Sequence, residues 1–189
     1  MPTPSQRIDA SLNRLSPAAL QALEAVSAER TYPKGAYLLR AGELNHGSFT
    51  VLEGMARKYY LHDGKEHTTE IYFPGDLAVS FASYVLQTPA EEDIQALTEL
   101  RVSFLDYDRF QALKQRFPEL VAFDLVLTET YTIWLEERLR QFRTLSAPER
   151  YARLYTSHPD YVRHIPLTHL ASYLGVTLET LSRIRARKT

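Results

Sequence analysis

The residues best suited to chemistry lie at the end of the chain, in the stretch LTHLASYLGVTLETLSRIRARKT at residues 167–189. Here a single glutamate, Glu179, precedes a burst of arginines that begins at Arg183. An arginine can donate two hydrogen bonds to O6 and N7 of guanine, and a glutamate can accept one from N4 of cytosine. These residue types therefore suit the recognition of base edges in a DNA groove.

The spacing of small and apolar residues predicts a helix-turn-helix around these side chains. The inward-facing positions of its two helices are Leu170, Ala171, Leu174, Leu181 and Ile184. Two helices that cross closely need a small residue at the crossing, here Ala171, and the turn needs a residue that tolerates positive φ, here Gly175. The simpler alternative is a helical hairpin with a solvated basic end.

The outward face of the second helix, predicted at about residues 177–187, is suited to entering a major groove. We predict base contacts from Leu178, Glu179, Ser182 and Arg183. We predict phosphate contacts from Thr168, Thr177, Arg185, Arg187 and Lys188. Charge favours this assignment, because the seven basic and three acidic residues from position 146 onward leave +4 on the tail of a chain whose net charge is −1.

The elements that must position this motif change character along the chain. Residues 10–28 predict one or two short amphipathic helices. The following stretch, up to Tyr107, contains β-branched and aromatic runs broken by turn signals such as PKG, HDGKE and FPGD, which predict an antiparallel β-roll or jelly-roll. From Glu119 to Arg143 the sequence then predicts one long helix without glycine or proline.

The long helix carries two apolar stripes. The first comprises Val121, Leu125, Thr128, Leu135 and Leu139, together with Thr132 and Phe142. The second comprises Leu127, Tyr131 and Trp134. One stripe can cover the β domain while the other meets a second copy of the helix, and the alternative is a single wide core-facing stripe in a monomer.

Composition and missing motifs exclude several classes of function. The absence of cysteine excludes thiol nucleophiles, disulfides, zinc–thiolate sites and cysteine-ligated iron–sulfur clusters. No stretch resembles a signal peptide or an apolar membrane span, so we expect a cytoplasmic protein. The sequence has no glycine-rich phosphate loop, nucleophile elbow or two-histidine zinc helix, and we therefore predict that the protein is not an enzyme.

The order of these segments resembles the Crp/Fnr family of bacterial transcription regulators. The stretch YPKGAYLLRAGELNHGSFTVLEGMARKYY is similar to the family's opening β-roll pattern, and KEHTTEIYFPGD is similar to its approach to the ligand pocket. LASYLGVTLETLSRIRA is similar to its DNA-reading segment, and the base-reading residues of the family match Glu179 and Arg183. Leu178 stands where some members have a further arginine.

This resemblance implies an α+β fold in which three successive segments have different functions. We expect a β-roll sensor domain at residues 1–117, a dimerisation helix and hinge at 118–145, and an all-α helix-turn-helix domain at 146–189. The implied partners are a second copy of the chain, a two-fold symmetric double-stranded DNA operator and, for an activator, RNA polymerase. No membrane partner is implied.

The resemblance also points to a ligand pocket, but its binding residues are replaced here. Family members that bind cyclic nucleotide use a Gly-Glu-Leu segment and an Arg-Ser/Thr-Ala segment. Counting on from FPGD, those positions hold Val79, Ser80, Phe81, Ala90, Glu91 and Glu92. We therefore expect a degenerate pocket at Ser80, Phe81, Ala90 and Glu91. Carboxylates beside a phosphate cost several kcal/mol, so we predict no cyclic AMP and name no cofactor.

Two alternatives to a DNA-binding regulator stay open on the sequence. The first is a β-roll module that binds a small molecule or a protein and has no operator. The second is a cupin-like metal-dependent enzyme that uses His62, His67 and Glu70. Cupins place two histidines one residue apart on a strand, whereas these two are five positions apart, so we predict no metal site.

Two features near the chain end carry further expectations. His158, His164 and His169 have no helical pairing, and we expect them on a DNA-facing or linker surface. Many family members continue into a β-hairpin wing, whereas this sequence stops about one turn past Arg185. Either it belongs to a short branch without a wing, in which the basic terminus contacts phosphates, or it is truncated, and we favour the first.

Overall fold

The strands occupy the middle of the chain, and helices precede and follow them. The computed structural model describes residues 4–186, with side chains from residue 6 onward. The strands are β1 (Ser27–Tyr32), β2 (Tyr37–Leu39), β3 (Gly47–Glu53), β4 (Ala56–His62), β5 (Lys65–Tyr72), β6 (Leu77–Ala78), β7 (Asp93–Ala96) and β8 (Leu100–Asp106). The helices are α1 (Pro4–Leu12), α2 (Pro17–Val26), α3 (Phe81–Leu86), α4 (Tyr107–Arg116), α5 (Glu119–Thr144), α6 (Ala147–Ser157), α7 (Pro159–Val162), α8 (Leu167–Leu174) and α9 (Leu178–Ala186).

Two four-stranded antiparallel sheets form the β domain. Their strand orders are β1-β8-β3-β6 and β2-β7-β4-β5. The inward-facing side chains of both sheets form one apolar core that includes Phe49, Val51, Ile94, Leu100 and Val102. Alternation of buried and exposed residues along β3, β7 and β8 places these side chains inside. The predicted α+β fold with an antiparallel β-roll is therefore confirmed.

Strand β1 differs from the prediction. The helical pattern at residues 10–28 resolves into α1 and α2, and the chain enters β1 at Ser27, where the sequence predicted helix. This strand has a mostly exposed surface and pairs with β8 from Ser27–Leu105 to Tyr32–Leu100. Its conformation comes from edge pairing with a distant strand and not from an apolar alternation, so the local sequence carries little signal for it.

The long helix α5 begins at Glu119, as the sequence predicts. Helix α5 has 26 residues and packs its buried side on α1 and α4 through Leu120 and Phe123. Ser146 then caps α6, with the backbone and side chain of Glu149 completing a capping box. Along the described residues, no helix is both long and apolar enough to cross a membrane.

Helices α6–α9 do not form an isolated unit but share a core with the β domain. Leu170, Leu174 and Leu181 are fully buried in this core. Met55, Ile71 and Phe73 from the β domain belong to the same apolar cluster. The helix-turn-helix is thus packed directly on the roll.

Candidate nucleic-acid interface

Helix α9 has one buried face and one exposed face, as the sequence predicts. Leu181 and Ile184 are buried, with 0% and 7% of their surface accessible. The four predicted base-reading residues are exposed, and they are Leu178, Glu179, Ser182 and Arg183. These side chains form a continuous outward surface, because they lie at positions i, i+1, i+4 and i+5 of one helix.

The turn before α9 has the geometry that a helix-turn-helix requires. Gly175 has φ +67° and ends α8, and Val176 donates its backbone N–H to the carbonyl of Ala171 at 3.0 Å. The Thr177 hydroxyl accepts the backbone N–H of Thr180 at 3.2 Å and so caps α9. A hydrogen bond from its own backbone N–H, followed by one from the Thr177 side chain, lowers the pKa of Glu179.

The predicted phosphate-contacting residues flank this surface. Thr168 lies exposed in the first turn of α8, Thr177 lies exposed at the turn, and Arg185 lies exposed in the last turn of α9. Arg183 donates to the Thr180 hydroxyl at 3.3 Å, which extends the guanidinium along the helix surface. Arg187 and Lys188 lie outside the described residues, so their roles stay predictions.

Side chains at the end of α5 and in α6 contact the residues just before the turn. Arg150 donates to the carbonyl of Leu174 at 2.8 Å, and its guanidinium lies 4.8 Å from the ring centre of Phe142. Arg138 lies between the rings of Phe142 and Tyr173, at 4.4 and 3.7 Å from their centres. These contacts connect the long helix to the recognition element without using the exposed face of α9.

The first helix of the motif also contacts the edge of a sheet. The Ser172 hydroxyl accepts the backbone N–H of Thr68 at 2.8 Å and donates to the carbonyl of Glu66 at 3.0 Å. Strand β5 is an edge strand, and its free backbone groups are in this way satisfied by α8. On the neighbouring strand β4, Arg57 contacts His169 of the same helix, with Nη1 2.8 Å from Nδ1.

The expectation for the histidines is wrong in two cases. His169 lies against the β domain, where Arg57 and Glu66 face it, and His158 stacks on Phe73 with ring centres 4.0 Å apart. Desolvation lowers the pKa of both histidines. Sequence spacing did not reveal these contacts because each joins residues that lie far apart in the chain.

The predicted dimer stripe of α5 is largely exposed. The accessible fractions are 54% for Val121, 56% for Leu125, 43% for Leu135 and 60% for Leu139. Thr128 is half-buried and turns toward the β domain. The second stripe, with Leu127, Tyr131 and Trp134, packs inward against the β domain. Exposed leucines in a row along one helix are typical of a surface that another chain covers.

The positions of the degenerate ligand pocket do not form one open site. Ser80 and Ala90 are buried, Phe81 is half-buried, and Glu91 is exposed. The amide of Asn45 donates to the carbonyl of Ser80 at 3.2 Å, and Ala90 belongs to the core of the β-roll. Side chains of the protein therefore occupy the interior at these positions.

The alternative metal site is not assembled. His62 and His67 approach across the β4–β5 hairpin, with ring centres 6.1 Å apart, but Glu70 is buried beside Lys58. No group of three potential metal ligands occurs within the part of the chain that the structure describes.

Comparison with known proteins finds a matching domain and related sequences. Residues 29–117 match the cyclic nucleotide-binding domain. The Anaerobic regulatory protein of Haemophilus influenzae is 27% identical over 173 residues, which cover 84% of this chain and 66% of that protein. The chain thus spans slightly less than two thirds of the length of this relative.

Solved structures share the fold. FixK2 from Bradyrhizobium japonicum has a TM-score of 0.74 at 19% identity, with 86% of this chain and 84% of that chain covered. A transcriptional regulator from Eubacterium rectale, assigned to the Crp/Fnr family, has a TM-score of 0.71 at 19% identity, with 91% and 82% covered. Together with the matched domain, these likenesses show that the chain has the fold of Crp/Fnr-type regulators.

Proposed function

We propose that the protein is a homodimeric transcription regulator that binds a two-fold symmetric DNA operator. The observation that carries this proposal is the outward surface of α9, on which Glu179, Ser182 and Arg183 are exposed while Leu181 and Ile184 are buried. A helix of this kind fits the major groove, and its arginine and glutamate suit a G·C base pair.

The exposed stripe of α5 supports the dimeric state. Leu125 and Leu139 lie on the same side of a helix that ends next to the turn before α9. Pairing two copies along this stripe gives an isologous interface, which relates the two recognition helices by a two-fold axis. Such dimers read two half-sites about one helical turn of DNA apart.

We further propose where the protein acts, which partner it contacts and which effector it does not use. A regulator of this type acts in the cytoplasm and contacts RNA polymerase if it activates transcription. Cyclic AMP is not the proposed effector, because Ala90 and Glu91 stand where a phosphate would need a cation and a hydroxyl.

Selection of bound duplexes from random DNA tests the proposal. We expect an inverted repeat, bound by two chains, with an affinity that falls steeply as salt rises because phosphate contacts release counterions. A scrambled duplex of the same composition is the control. Equal affinity for the repeat and the scrambled duplex at physiological salt would contradict the proposal and favour a β-roll module without an operator.

A further inference from the structure

A cavity of about 570 Å³ lies between the β domain, α4 and α5. Its walls come from α3, α4, α5, β5 and the turn at residues 74–76, and His158 closes one side. This volume is in the range of sites that hold drug-sized molecules. The cavity therefore lies between the β domain and the neighbouring helices, and His158, at the junction of α6 and α7, reaches it from the C-terminal helices.

Aromatic rings form much of the wall. Tyr131 and Trp134 stack with centres 5.9 Å apart, and Phe81 lies 5.1 Å from Tyr131. Tyr84 and Tyr107 meet edge to face at 4.9 Å on another side. Flat surfaces of this kind favour a planar ligand, which can stack on one ring and meet the edge of the next.

The charges on the wall are predominantly acidic. Glu70 and Asp124 already pair with Lys58 and Lys114. Asp76 accepts the backbone N–H of Phe73 at 2.8 Å and, among the described residues, forms no ion pair within 4.0 Å. Its carboxylate, which keeps accessible surface at the cavity, thus provides a negative charge without a cationic partner.

Asp76 and Thr130 are polar residues that line this side of the cavity. Desolvation by the surrounding protein raises the pKa of Asp76 to about 6; the Phe73 hydrogen bond opposes this rise and the nearby charge of Glu70 adds to it. The hydroxyl of Thr130, a residue with 9% of its surface accessible, lines the cavity and has no hydrogen-bond partner among the described residues. Buried hydroxyls normally have partners, so this group is an exception that the described contacts do not explain.

The cavity differs from the positions at which relatives hold cyclic nucleotide. Of Ser80, Phe81, Ala90 and Glu91, only Phe81 lines it. The others are packed in the roll or exposed elsewhere. A cavity with excess carboxylate also repels phosphate, so it selects a different ligand chemistry.

We propose that this cavity is an effector site for a planar aromatic molecule that is neutral or positively charged and donates hydrogen bonds to Asp76. This coupling rests on the proposed regulatory function and runs through His158. The His158 ring lines the cavity and stacks on Phe73, which belongs to the core shared with the helix-turn-helix. A ligand that contacts His158 acts on the position of the recognition helix.

Three single-ring probes of different charge test the ligand class. Benzamidine is a cation, benzamide is neutral and benzoate is an anion, and all three carry the same ring. Trp134 is the only tryptophan and lines the cavity, so its fluorescence reports occupancy. We expect saturable changes with benzamidine and benzamide, and at least about tenfold weaker binding of benzoate, because its carboxylate would face Asp76.

Two variants locate the binding charge. Asp76→Asn keeps the shape of the side chain and removes its charge, and we expect the affinity for benzamidine to fall about tenfold while that for benzamide changes little. Asp63→Asn, in the exposed β4–β5 turn, is the matched control and should leave both affinities unchanged. Equal effects of the two variants would overturn the assignment.

A DNA measurement tests the coupling. Benzamidine should change the affinity of the full chain for its selected duplex, and His158→Ala should abolish this change while the probe still binds. The exposed His164→Ala is the control. Absence of any probe-dependent change in Trp134 fluorescence up to the solubility limit, or tightest binding of benzoate, would overturn the proposal. Either result would leave the selection of a DNA repeat unaffected. The experiments therefore distinguish failure of the effector-site proposal from failure of the DNA-binding proposal.

Discussion

The Nη1 atom of Arg57 lies 2.8 Å from Nδ1 of His169, so a buried arginine of the β domain contacts the first helix of the helix-turn-helix. The same guanidinium lies 2.7 Å from the carboxylate of Glu66 and 3.9 Å from the ring centre of Tyr59. Because a guanidinium can only donate hydrogen bonds, Nδ1 must be the acceptor and the imidazole must be neutral. Docking of the recognition element is therefore linked to the protonation of one histidine.

This linkage predicts that acid weakens the docking. Desolvation, followed by Arg57, lowers the pKa of His169, while Glu66 opposes the shift. The unfolded chain then binds more protons than the folded one at moderately acidic pH. The stabilising contribution is complete above the ordinary histidine value of about 6.5 and is lost as the pH falls below it.

Urea unfolding at several pH values can measure this effect. His169→Asn keeps an acceptor near the position of Nδ1 and removes the titration. We expect the free energy of unfolding to decrease less on acidification in this variant than in the native chain. His158 has a lowered pKa as well and contributes to both curves, so the difference between them isolates His169. Identical pH dependences would show that the contact does not stabilise the docking.

Gly175 is expected to be sensitive to a single added methyl group. Its φ is +67°, and a Cβ atom there would lie 2.8 Å from Cε1 of Phe142. Gly64 has a similar φ of +70° but nothing within 4 Å, so it is a matched control. We expect Gly64→Ala to cost about 1 kcal/mol of strain, and Gly175→Ala to cost about 1–3 kcal/mol more because Phe142 must move.

The free energies of unfolding of the two variants check this expectation. Phe142→Leu, added to Gly175→Ala, should recover part of the loss because the smaller side chain makes room for the methyl group. Equal losses in the free energy of unfolding at the two glycines would mean that the contact with Phe142 does not destabilise the Gly175 variant. Recognition of the duplex should weaken only for the variant at Gly175, since only this turn positions α9.

The sequence predicts local features well, but not contacts between residues that are far apart in the chain. The turn at Gly175 is local, and it lies at the predicted residue with the predicted positive φ. The contact of Arg57 with His169 joins positions 112 residues apart, and no local pattern marks either residue. The start of strand β1 at Ser27, inside the predicted helical segment, was missed for the same reason, since its pairing with β8 is also long-range.

The exposed stripe of α5 predicts the residues that control dimerisation. Leu139 has 60% of its surface accessible, so Leu139→Glu should leave the monomer fold intact. In a symmetric dimer it would bury two carboxylates and raise the dissociation constant at least about a hundredfold. Ala122→Glu, exposed on another side of the helix, is the control. Sedimentation equilibrium measures the dimer dissociation constants of both variants. Similar values for Leu139→Glu and Ala122→Glu would exclude this stripe as the interface.

Cyclic AMP should not stabilise the protein. Ala90 is buried in the roll and offers no charge, and Glu91 and Glu92 would repel a phosphate placed beside them. Thermal unfolding with and without the nucleotide checks this, since a ligand that binds only the folded state raises the melting temperature. An increase of several degrees at micromolar concentration would contradict the assignment of a degenerate pocket.

The two arginines of α9 should affect DNA binding differently. Arg183 lies on the outward face, so Arg183→Ala should cost about 1–3 kcal/mol per half-site and relax the preference at one base pair. Arg185→Ala should weaken all duplexes alike and reduce the salt dependence by about one phosphate contact.

Competition among duplexes with single base changes distinguishes these effects. Arg163→Ala, exposed but outside the motif, is the control and should retain both affinity and preference. Glu179→Gln is an independent check. It replaces the carboxylate that can accept from cytosine with an amide that can also donate. We expect the preferred base to change without a comparable loss of non-specific affinity. If the Arg183 and Arg185 variants both lose affinity with unchanged preference, α9 does not read bases through this face.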